Sequence, residues 1–127
     1  MINALAVFLG GGIGAMSRYA VTKLSVKILG KAIFGTLISN ILGCFLIGCI
    51  LGYTLQKAEA VPAELKLFLT VGFLGGLTTF STFSNESFCL LKDGKLFYGA
   101  LYMIGSLTIG VFSTFIGYSI TKHFIQV

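Results

Sequence analysis

Charge is what this sequence has least of. Nine lysines and arginines and four acids make up 10% of its 127 residues, against about 25% in an ordinary soluble domain. A soluble protein this small has a large surface to cover and cannot cover it with so few charges. Histidine is nearly absent as well. His123, near the C-terminus, reads as a terminal residue that reaches for water and not as a catalyst. The three cysteines, Cys44, Cys49 and Cys89, lack metal-site spacing and read as small packing residues. No carboxylate pair, Cys–His pair or ligand cluster offers the parts of an enzyme. The basic residues are scattered through the loops, which argues against nucleic acid and for contact with anionic lipid headgroups.

What remains is apolar: 56% of the chain is hydrophobic. With the charges as boundaries, four segments emerge at about 2–22, 32–55, 65–91 and 96–121. Each is long enough to cross a hydrocarbon core of about 30 Å. The first lacks a basic leader and a small-residue cleavage site, so it is read as a retained span. The expected fold is all-α: one four-helix transmembrane domain over 1–127. The loops opposite the termini hold Lys23, Lys27, Lys31, Lys92 and Lys95; the terminal side holds Lys57, Lys66 and Lys122. That modest bias favours a cytoplasmic position for the first group and permits insertion both ways. Four helices are too few to enclose a comfortable pore, so an oligomer is expected.

Glycine is abundant, with 17 in the chain. The pairs Gly10/Gly14, Gly48/Gly52 and Gly72/Gly76 have the spacing that lets membrane helices approach closely. The second span places Thr36, Asn40 and Gly43 on one helical face. An asparagine at membrane depth is costly without a partner. It serves either as a hydrogen-bond bridge between helices or as an N–H donor to a polar solute. The fourth span carries a stripe of Tyr102, Ser106, Gly110 and Ser113 on one face, suited to a wet or partner-facing surface.

The third span is the unusual one. Eight of the ten residues from Thr78 to Ser87 are polar, interrupted by Phe80 and Phe83. Two glycines followed by β-branched and hydroxyl residues hold a helix poorly. A break is therefore expected from Gly75 to about Ser81, freeing backbone carbonyls for a cation and a helix N-terminus for an anion. Phenyl rings have positive edges. Together with hydroxyl and amide donors they can stabilise a small dehydrated anion without a fixed positive charge, and so without trapping it.

At these residues the chain resembles the fluoride-channel family called Fluc or CrcB. The likeness covers essentially the whole length. It rests on GGIGAMSRY (11–19), GTLISNILGCFLIG (35–48), GFLGGLTTFSTFS (72–84), and Tyr102, Ser106 and Gly110 in the fourth span. Leu77 stands where the family motif has phenylalanine, and Ser39 replaces an apolar residue. The resemblance implies a dual-topology, antiparallel homodimer in a bacterial inner membrane, with two fluoride pathways. It implies that Phe80 and Phe83 contact fluoride through ring edges, with Asn40 as a nearby donor and Ser81, Thr82, Tyr102 and Ser106 as lining hydroxyls. Carbonyls of Gly75 and Thr78 from both subunits would hold a structural, untransported Na⁺. Arg18 resembles the family's vestibule arginine, which attracts anions or fixes the fold, and Glu86 lies near the pathway in an open role. A small proton-coupled multidrug exporter and a purely structural membrane subunit are the rivals. The exporter needs a membrane-embedded carboxylate, and Glu86 is the only acid inside a span.

Overall fold

The computed structural model describes residues 1–57 and 60–126, and every regular element among them is helical. α1 spans Ile2–Leu29 and α2 spans Ile33–Thr54. The third crossing, Ala63–Lys92, comes in two parts. Its first part, α3 (63–77), begins as an α turn at Ala63–Leu67. It widens to π-helix over Phe68–Leu74 and ends as Gly75–Leu77. The second part, α4, is Phe80–Lys92, and α5 spans Leu96–Gln126. Among the described residues, four helical stretches are thus long and apolar enough to cross a membrane.

α1 runs past the expected end of the first span. Lys23 and Lys27 are good helix formers whose stems carry their charges outward, so they extend the helix instead of ending it. Lys23 reaches back over the Tyr19 ring, 5.6 Å from its centroid. Gly30 stops the helix at φ 73°, where its N–H donates to Val26 O at 3.0 Å. Gly94, also at φ 73°, makes the corresponding turn between α4 and α5. A residue with a Cβ would be strained at either place.

The buried positions are mostly glycines and small hydroxyl residues, whereas leucine, isoleucine and phenylalanine face outward along α1 and α5. Lipid tails are as apolar as leucine, so burying leucine gains little and close backbone packing decides which helices pair. α1 and α3 run parallel with glycines interlocked. A Cβ on Gly14 would collide with Phe73 O, and one on Gly72 would stand 2.9 Å from Val7 O. α2 and α5 also run parallel. A Cβ on Gly48 would meet Thr114 O, one on Gly52 would lie 2.7 Å from Tyr118 O, and Gly117 sits against Phe45 O. The Cys44 and Cys49 thiols pack against Gly110 and Gly117, in the small apolar role expected of them.

The break is narrower than the sequence led one to expect. Gly75 and Gly76 remain helical, because Gly76 is needed to seat α3 against the Gly11 carbonyl. Ser81 is already inside α4. Only Thr78 (φ −85°, ψ 157°) and Thr79 (φ −151°, ψ 115°) are extended.

Candidate functional site

Three residues on one face of α2 build the break. Gly43 receives the Thr78 methyl group, which would clash with any side chain there. One turn away, Asn40 brackets Thr79: its Oδ1 accepts the Thr79 N–H at 2.8 Å and its Nδ2 donates to Thr79 O at 3.2 Å. The side-chain amide thereby replaces the backbone partner that an unbroken helix would have given the Thr79 N–H, and adds a donor to a carbonyl that already opens the next helix. One turn further, the buried Thr36 donates to Glu86 Oε1 at 2.8 Å. The face read from sequence as Thr36, Asn40 and Gly43 is the surface on which the third crossing changes direction.

Thr79 then caps α4. Its hydroxyl accepts the Thr82 N–H at 3.2 Å and donates to Thr82 Oγ1 at 3.0 Å, satisfying an otherwise orphaned donor of the first turn. The carbonyls of residues 75 to 78 lose their helical partners as a result, those of Gly75 and Thr78 among them. The amide four residues after Gly75 goes to Asn40, and the amide four residues after Thr78 goes to the Thr79 hydroxyl. Thr78's own N–H and hydroxyl both turn back to Leu74 O at 2.9 Å. Gly75 is exposed, with open space where a side chain would be.

Six of the residues singled out from sequence surround one recess of about 500 Å³: Asn40, Gly75, Thr78, Phe80, Phe83 and Ser106. Among the described residues, no charged side chain lines it. The Phe80 and Phe83 rings are tilted at 42° with centroids 5.9 Å apart, and Phe83 continues to Tyr102 at 5.2 Å. Their exposures differ sharply. Phe83 is buried at 9%, while Phe80 stands open at 77% on the face that carries Gly75. The Ser106 hydroxyl is buried and has no hydrogen-bond partner among the described residues.

Not every candidate joins this recess. Ser81 and Thr82 are exposed beside the Thr79 hydroxyl, and Arg18 is half-buried on α1, away from the recess. Tyr102 is on the far side of Ser106, where its hydroxyl donates to Glu86 Oε2 at 2.7 Å. Both carboxylate oxygens of Glu86 are therefore committed, to Thr36 and to Tyr102. Of the two readings of Asn40, the bridging one describes its oxygen and one N–H. The amide has a second N–H, and the residue lines the recess.

Sequence reasoning gave no site role to Thr36 or Thr79. The polar face it saw on α2 was the available signal for Thr36. The pattern of a hydroxyl residue opening an amphipathic helix was the signal for Thr79.

Comparison with known proteins bears on this arrangement. The family described as "CrcB-like protein, Camphor Resistance (CrcB)" matches residues 5–118. A protein of Methylobacterium sp. (strain 4-46) named fluoride-specific ion channel FluC is 41% identical, over 98% of this chain and 99% of its own length. Proteins of the same name from Shewanella piezotolerans and Geobacter metallireducens are 44% and 39% identical, over 92% and 97% of this chain and 94% and 99% of theirs. The match takes in all of α2, α3 and α4, and so the whole of the break: the chain belongs to the CrcB family of FluC-type membrane proteins.

Proposed function

We propose that this chain is a subunit of a passive, fluoride-selective channel that lets the anion leave the cell across the inner membrane. The observation that carries the proposal is the uncharged recess at the helix break. Phe80, Phe83, the Asn40 amide and the unpartnered Ser106 hydroxyl all line it. A fluoride ion stripped of water needs positive ring edges and N–H or O–H donors. These are the groups on offer, and among the described residues that line it none is a lysine or arginine that would hold the ion once bound. The names of the relatives support the same ion, and their naming as channels also removes the enzyme reading.

The active unit in this reading is an antiparallel homodimer with two pathways. The open Phe80 ring and the exposed Gly75 then find their complement on a second copy. The donor set at the end of α3 fits a hard cation. The Gly75 and Thr78 carbonyls have lost their helical amides, and carbonyl oxygen suits such an ion. Gly75 and Thr78 would hold a structural, untransported Na⁺ there, which when bound would supply fixed positive charge at the break. Asn40 holds the break open, Thr79 starts α4, and Phe83 is positioned between Phe80 and Tyr102. Fluoride crosses lipid as neutral HF from acidic surroundings and ionises inside, and a negative cell interior drives the anion out through a passive pathway. The exporter reading is not favoured: both Glu86 oxygens are held by hydroxyls, and the relatives are named as channels.

The test is anion release from liposomes holding the purified protein with Na⁺ supplied. Rapid fluoride release with chloride retained is expected, together with a large loss in Phe80→Ile and Phe83→Ile variants that still assemble. No fluoride release from the unaltered protein sinks the proposal.

A further inference from the structure

A second cavity, of about 640 Å³, lies between α2, α4 and α5. Its walls are largely apolar, with Phe34, Leu37, Leu101 and Ile109 among them. Its polar groups are graded along its length. Lys31 precedes α2, Lys95 precedes α5, and Tyr98 lies in the first turn of α5. Tyr102 and Ser106 follow at intervals of one turn, on the same face of α5. Ser106 also lines the recess at the helix break, so the two cavities share that residue. Two full positive charges stand at one end of this line; further in, the Tyr102 O–H is committed to the Glu86 carboxylate and the Ser106 hydroxyl has no partner among the described residues.

We infer that Lys31 and Lys95 form an anion-capturing mouth, which raises the concentration of small aqueous anions at the outer end of the Tyr98–Tyr102–Ser106 line. The inference rests on the channel reading for where that line leads, but not for the charge at its start. Both lysines are exposed, and apolar walls beside them focus their field instead of dissipating it. The acid near them is Asp93, with its Oδ2 3.9 Å from Lys95 Nζ; it offsets one of the two charges only in part across that solvated gap. Lys27 and Lys92, in the last turns of α1 and α4, add charge of the same sign at that end of the fold. Hydrated ammonium groups in open solvent attract an anion without stripping its water. The mouth therefore acts on the rate of capture, and selectivity is left to the uncharged groups deeper in.

The chain has no tryptophan, so Tyr98→Trp places a single fluorescent reporter at this mouth. The reading is quenching by iodide divided by quenching by neutral acrylamide, in uncharged detergent at about 10 mM ionic strength. Lys31→Gln with Lys95→Gln is expected to lower that ratio about three- to five-fold, as loss of two weakly screened unit charges beside the reporter should. Asp93→Asn is expected to raise it, and all variants should converge above about 0.5 M salt. An unchanged ratio in the double glutamine variant overturns the inference, whether or not the protein conducts fluoride. So does loss of the iodide preference on adding a short-chain anionic phospholipid at a concentration where inorganic phosphate has no effect, which would assign the lysines to lipid headgroups. In vesicles, the double variant should slow fluoride release about threefold at low ionic strength and leave the preference over chloride intact. Absence of release from the unaltered protein removes the channel reading and leaves quenching to judge the mouth alone.

Discussion

α3 lies against α1 with glycine facing glycine, whereas α4, two extended residues further along the same crossing, is tied to α2 and α5 by side-chain hydrogen bonds. The first contact is one of shape. Backbone meets backbone at Gly10, Gly14, Gly72 and Gly76, and no side-chain hydrogen bond joins the two helices among the described residues. The second is one of chemistry, through Asn40 with Thr79, Thr36 and Tyr102 with Glu86, and the Phe83 ring against Tyr102. The difference shows how a chain this short divides its work. Glycine contacts leave no polar atoms spare and make a scaffold, while hydroxyls and an amide that can exchange partners are kept for the half-helix that faces the recess.

The contrast can be broken most severely on the scaffold side. Gly14→Leu drives a side chain into the Phe73 carbonyl and Leu77 N–H and should cost about 3 kcal/mol or more, since neither backbone can give way. Loss of the folded peak in size-exclusion chromatography is the expected result; a folded, normally stable variant would mean that the α1–α3 contact is not rigid. Asn40→Ala removes the partner of the Thr79 N–H and a second donor to its carbonyl, and should cost about 2 kcal/mol. Hydrogen exchange should quicken at Thr79 and Thr82 while the α1 and α3 amides stay protected. Equal loosening of both regions would erase the distinction. Glu86→Gln leaves one of two hydroxyls without an acceptor and should cost about 1 kcal/mol, measured by denaturant titration in detergent. The smallest effect belongs to Ser39, fully buried with a hydroxyl that has no partner among the described residues. Ser39→Ala should be neutral or stabilising by up to about 1 kcal/mol. A clear loss of thermal stability would reveal a polar role for a position that looks like pure packing.

The scaffold was largely legible in the sequence and the chemistry only in outline. Charges mark where a chain leaves the hydrocarbon, so the crossings could be read directly, and glycine spacing pointed at the contacts that pair the helices. The exception at Lys23 and Lys27 arose because a lysine can leave the membrane without leaving the helix. The break was legible as a polar run but was set too early and too wide. Glycine both weakens a helix and lets another helix touch it, and at Gly76 the second effect wins through the Gly11 carbonyl. What ends the helix is Asn40, which precedes Thr79 by 39 residues, and no local pattern announces that bond. The same holds for Thr36 and Glu86, 50 residues apart. Phe80 and Phe83 were legible as a pair, but their unequal exposure depends on what packs behind each ring.

The Asn40–Thr79 bracket also bears on how the protein is made. α2 reaches the bilayer ahead of Thr79, and at about 5–20 residues per second the wait is on the order of seconds. During that interval a bare amide sits at membrane depth, where it disfavours insertion. α2 is also the most apolar of the four crossings. Its surplus of leucine and isoleucine can carry the amide into the membrane unaided, so the residue that later turns the third crossing enters as a passenger on the second.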